Sequence, residues 1–161
     1  MKPVQLIQAS ILTLLAAASL GAQARSNGED RGSPVMPAHV DAKWQTECSG
    51  CHLAYPPGLL PAASWKKVMS GLDKHFGADA SLSPQDTQEI TTFLEKNGSN
   101  RWSANTAPLR ITDSQWFKSK HREVGAAVWK RAAVKSHSNC SACHSGAAKG
   151  DFDEDRVHIP K

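Results

Sequence analysis

Beyond residue 24 the chain has no long apolar run, and nowhere does it carry a strand pattern of convincing length. The first absence excludes a membrane-spanning helix in that part of the chain, since spanning takes about 20 apolar residues. The second points to an all-α fold. Charge of one sign is also scarce. The formal net charge is +4, and it falls to +3 without Lys2, which gives little support for a nucleic-acid partner. Cysteine occurs only four times in 161 residues.

All four cysteines fall in two copies of one pentapeptide. These are Cys48-Ser49-Gly50-Cys51-His52 and Cys140-Ser141-Ala142-Cys143-His144. Each reads Cys-x-x-Cys-His, the attachment signature of c-type haem. Two thiols three positions apart at a helix end can form thioethers to the two vinyl groups of one haem, and the next residue offers its imidazole to the iron. A zinc ribbon would place its second pair roughly 15–20 residues after the first. Here Cys51 and Cys140 are 89 positions apart. A thioredoxin-like motif would need a βαβ pattern, and none is present.

Met1-Lys2 opens the chain with positive charge, an apolar run follows from Ile7 to Leu20, and Ala22-Gln23-Ala24 is a small-x-small exit. This reads as a secretory signal peptide cleaved after Ala24. No cysteine follows that would carry a lipid anchor, so no stable membrane insertion is expected after cleavage. Export and haem attachment together point to the periplasm. The chain then divides into a signal peptide (1–24), a flexible lead-in (25–37), an N-terminal haem lobe (38–100) and a C-terminal haem lobe (101–161). Lobes of this size are small for independent apolar cores, so their stability is expected to lean on the haems.

In order along the chain, Asp41 to Gly50 reads as a helix delivering the first motif. Residues 54–61 contain three prolines and read as a loop. Ser64 is expected to cap a helix from Trp65 to Phe76, whose apolar face carries Trp65, Val68, Met69, Leu72, His75 and Phe76. Ser83-Pro84-Gln85-Asp86 starts another helix, with Ile90, Phe93 and Leu94 inside. Residues 99–110 read as a linker. Thr112-Asp113-Ser114-Gln115 resembles a capping box ahead of a segment with Trp116, Phe117, His121 and Val124. Ala126 to Val134 follows, then the second motif. From Arg101 to Lys135, eight basic residues face only Asp113 and Glu123, a face able to steer an acidic partner or simply a solvated surface.

His52 and His144 are the expected proximal ligands. The other side of each iron decides between electron transfer and the binding of small molecules. At the first haem the candidates are His75 and Met69, with His39 expected at the surface. At the second they are His121, His158 and His137, or an open site.

Several stretches together resemble the bacterial dihaem cytochrome c (DHC) family. They include Glu47 to His52, Ala54-Tyr55-Pro56, Leu59-Leu60-Pro61, Ser64-Trp65, His75-Phe76-Gly77 and Asp79-Ala80-Ser81-Leu82. Lys120-His121-Arg122-Glu123, Ser138 to His144 and Gly150-Asp151-Phe152 continue the resemblance. It implies a periplasmic electron carrier rather than an enzyme, with two covalently attached haems and an N-terminal lobe similar to class I cytochromes c. It implies bis-histidine irons, with His75 and His121 as distal ligands. It also implies redox partner proteins such as a membrane b-type cytochrome and a small oxygen-binding cytochrome c. The rival expectation is a haem protein with one open iron that binds gas or reduces peroxide. That would need an acid–base pair beside a haem, and no such pair is recognisable.

Overall fold

A computed structural model describes residues 35–100 and 107–161. The expected signal peptide, residues 25–34 of the lead-in, and the boundary between the lobes lie outside the described residues. Those described are helical. No strand occurs among them, only an isolated bridge between His75 and Ala78, and the chain is all-α. No helix among them is long and apolar enough to cross a membrane.

The N-terminal half is built on three helices, α1 (Ala42–Ser49), α2 (Ala62–Met69) and α3 (Pro84–Lys96). Each start has a local cause. The Asp41 carboxylate accepts from the Trp44 N–H, and the Ser83 hydroxyl accepts from Asp86 ahead of Pro84. Both satisfy N–H groups that a helix cannot pair internally. Trp44, Leu60, Trp65, Met69, Ile90 and Leu94 form the buried core, with Trp44 tilted against Phe93 at 5.3 Å.

The α2 helix departs from its sequence pattern. It starts three residues earlier than expected, with Pro61 as its cap, and stops at Met69. Ser64 is no cap. Its side chain is buried and its hydroxyl donates to the Pro108 carbonyl, 44 residues away. The apolar periodicity continues past Met69, but Ser70-Gly71 ends the helix. The chain re-forms a single 3₁₀ turn at Leu72–Lys74, which puts His75 on a turn and not on a helix face.

The C-terminal half has two short helices, α4 (Gln115–Lys120) and α5 (Ala126–Trp129), joined by isolated turns. Ser114, not Thr112, caps α4: a 3₁₀ turn at Ile111–Asp113 comes first, and the Ser114 hydroxyl accepts from the Phe117 N–H. The α5 helix ends well short of Val134, and Lys135 turns the chain with φ 66°.

Val35 and Met36, the last residues of the expected lead-in but one, are packed against both halves. Gly58 donates its N–H to the Val35 carbonyl at 2.9 Å, so closely that a Cβ on Gly58 would stand 2.7 Å from the Val35 Cα. Gly150 has φ 74°, and a Cβ there would meet the Met36 Cβ at 2.5 Å. Gly150→Ala therefore combines a left-handed backbone with a collision. It is expected to cost about 1–3 kcal/mol, read as a lower melting temperature of the holoprotein.

Candidate haem sites

The α1 helix sets the first motif in space. Trp44 is buried, and Cys48, one turn later, packs on the same core. Cys51 and His52 follow the helix end and are exposed. The second motif is held differently. Cys140–Ala142 form a 3₁₀ turn, and the His144 N–H donates to the Cys140 carbonyl at 2.8 Å. The tail closes over it, with the His158 N–H on the Cys143 carbonyl at 3.0 Å and Arg131 on the Pro160 carbonyl at 2.6 Å. None of the four cysteines is in a disulfide. Before any haem is attached, burial pushes the Cys48 and Cys140 thiols up to about 11.

Each motif histidine faces one other histidine. The His52 and His75 rings have centroids 6.0 Å apart and planes 22° apart. The His121 and His144 centroids are 6.1 Å apart, with planes at 77°. An iron bound at about 2 Å by one nitrogen of each ring, each centroid lying ~1 Å further back, spaces the two centroids by about 6 Å. Both pairs have that spacing.

The tautomers agree with it. His52 Nδ1 lies 2.7 Å from the Leu53 carbonyl, and His121 Nδ1 lies 2.9 Å from the Phe117 carbonyl. A carbonyl only accepts, so each Nδ1 carries the proton and each Nε2 presents a lone pair. Burial, helped by His52 and then Arg110, holds the His75 pKa below the usual histidine range. Burial and then His121 do the same to His144, against the opposing Asp151. A neutral imidazole is the form that binds a metal. The residues present fit two haems, which Cys48, Cys51, Cys140 and Cys143 would attach.

Met69 is buried in the core of the N-terminal half. His39 and His158 are exposed. His137 is stacked at 4.3 Å on Trp129, which in turn lies 5.7 Å from His121. Sequence reasoning singled out the histidines but not what braces them. Phe117 stacks on His121 at 4.0 Å, Phe152 meets His144 edge-on at 5.3 Å, and Tyr55 stacks on His52 at 4.9 Å. The Arg110 guanidinium sits 4.0 Å from the ring centre of Phe76, the neighbour of His75 with φ 51°. Only Phe117 had a local signal, four residues before His121 on the same helical turn. A cleft of about 500 Å³ borders His52 and takes its walls from both halves, among them Met36, Val40, Trp44, Ala148 and Lys149.

A family model described as dihaem cytochrome c matches residues 44–152. The chain belongs to the dihaem cytochrome c family. Two solved structures from Rhodobacter sphaeroides are similar to it. A crystal structure of its DHC is 45% identical, covers 71% of this chain and 98% of its own, and superposes with a TM-score of 0.63. A diheme cytochrome c from the same organism is 42% identical over 70% of this chain and 97% of that one, with a TM-score of 0.64. A diheme cytochrome type c from Shewanella baltica is 40% identical over 74% of this chain and 92% of that one, with a TM-score of 0.67. No curated protein matches. A dihaem cytochrome c is a haem electron-transfer protein, and its cofactors are two c-type haems with iron.

Proposed function

We propose that this dihaem cytochrome passes single electrons with both irons closed by histidine, His52 with His75 and His144 with His121. The observation that carries this reading is the pair of imidazole pairs, at 6.0 and 6.1 Å. Each haem, when bound, supplies an iron that takes up and returns one electron. The chain's own residues orient the rings. The Leu53 and Phe117 carbonyls fix two tautomers, and Phe117, Phe152 and Tyr55 limit ring rotation. Two imidazoles per iron leave no position for oxygen or peroxide, which favours a carrier over a gas sensor or a peroxidase. The rest of the reading is the periplasmic setting after removal of residues 1–24, a class I-like lobe over 38–100, a second lobe over 101–161, and docking to redox partner proteins. A membrane b-type cytochrome and a small oxygen-binding cytochrome c are the proposed partners, on the family resemblance.

Low-temperature EPR of the oxidised protein tests the ligands. The mutual angle of two axial imidazole planes sets how they split the iron d orbitals. The near-parallel His52–His75 pair is expected to give an ordinary rhombic low-spin spectrum. The near-perpendicular His121–His144 pair is expected to give a strongly anisotropic one. The reduced protein should bind no carbon monoxide. A high-spin signal, or carbon monoxide uptake, would move the reading to an open iron.

A further inference from the structure

Tyr55 is the only tyrosine in the chain, and it joins the first motif to the segment just ahead of the second. Its ring stacks on His52 with centroids 4.9 Å apart and planes at 29°. Its hydroxyl donates to the Ser138 carbonyl at 2.7 Å, across 83 residues of sequence. The same carbonyl oxygen lies 3.7 Å from the Cys140 sulfur. One side chain therefore runs from the first motif histidine to the carbonyl that flanks the first cysteine of the second motif.

Both ends of this bridge are tied into local structure. Pro56 confines Tyr55 to extended backbone, and the loop behind it is buried and clamped by Trp65 Nε1 on the Pro57 carbonyl at 2.7 Å. At the far end, the Ser136 and Ser138 hydroxyls share a hydrogen bond, and Asn139 donates to the Val134 carbonyl. A tyrosine needed only to fill space would not require an acceptor so far away in sequence. A phenylalanine would fill the same volume without a hydroxyl to place.

We propose that Tyr55 is a positioning residue that holds the two haem motifs at a set separation and couples the two centres for electron exchange. It does so by contact alone: the ring fixes His52, and the hydroxyl fixes the Ser138 carbonyl beside Cys140. The inference rests on the haem sites described above and deepens the electron-carrier reading by naming the link between them.

The test uses Tyr55→Phe and Tyr55→Leu in the holoprotein. Tyr55→Phe keeps the ring and removes the hydrogen bond, and Tyr55→Leu removes both. Both variants are expected to keep two haems by pyridine haemochrome assay. The rate of electron exchange between the haems, followed after a reducing flash in half-reduced protein, should fall about three- to tenfold in Tyr55→Phe. It should fall further in Tyr55→Leu, which should also shift the first iron's EPR signal as His52 gains rotational freedom. A lower melting temperature with the wild-type exchange rate in Tyr55→Phe would make Tyr55 merely structural and would overturn the proposal. Should Tyr55→Leu fail to fold, the Tyr55→Phe rate still decides. EPR of the unmodified protein tests the histidine pairs by itself, so a wrong ligand assignment and a wrong role for Tyr55 give different results.

Discussion

Replacing Cys140 and Cys143 together by serine is expected to leave a chain with one haem whose C-terminal half no longer resists protease. The reason is the distribution of buried apolar side chains. Among the described residues eleven hydrophobic side chains are buried, and of these only Phe117, Val134 and Ala147 belong to the C-terminal half. Its helices have six and four residues, too short to persist without packing. Three buried side chains do not offset the conformational entropy of ordering some fifty residues, which costs about 1–2 kcal/mol each for the backbone alone. The haem supplies the missing apolar surface, and whatever binds only the folded state stabilises it. The N-terminal half, with Trp44, Leu60, Trp65, Ile90 and Leu94 packed together, should keep its helices in the same variant. Haemochrome assay gives the haem count, and limited proteolysis read by mass spectrometry locates the cuts. Native resistance across 107–161 in the one-haem protein would refute this account of its stability.

Opening either iron should have the largest effect on chemistry. His75→Ala and His121→Ala are each expected to raise carbon monoxide binding from none to about one per chain, because an unligated sixth position accepts it. The two sites differ in what could replace the lost ring. Met69, six residues before His75, is held in the core at 6% exposure. Near His121, the exposed His137 lies beyond Trp129 in the same aromatic cluster. His121→Ala combined with His137→Ala closes that route and is expected to bind carbon monoxide fully. His75→Met tests the first assignment from the other direction. Methionine opposite histidine raises the potential, here by an amount on the order of 0.1–0.3 V within the ~0.8 V that axial ligands span. A titration curve indistinguishable from wild type would remove His75 from the iron.

What was readable in advance was what is local. Haem attachment needs two thiols and an imidazole within five residues, so Cys48 to His52 and Cys140 to His144 declare it without any knowledge of the fold. The start of α3 is equally local, because Ser83, Pro84 and Asp86 act within one turn. The end of α2 was not. Its apolar spacing runs on through Leu72 and His75, and periodicity alone cannot show that Ser70-Gly71 turns the chain. The role of Ser64 was hidden for the same kind of reason, since its acceptor, the Pro108 carbonyl, is 44 residues away.

The sequence by itself determined that the chain is helical, that it carries two covalent haems, and which six residues form the two attachment motifs. Spacing alone left Met69 beside His75, and His137 and His158 beside His121, because any histidine or methionine on a flexible chain can reach a metal; the family resemblance then implied His75 and His121. Only the tertiary structure decided which rings face each other. The 3₁₀ turn at Leu72–Lys74 and the left-handed Phe76 carry His75 back over His52, while the short α4 and its Ser114 cap present His121 to His144. The distance between two side chains more than twenty residues apart is set by the packing between them, and no local pattern encodes it.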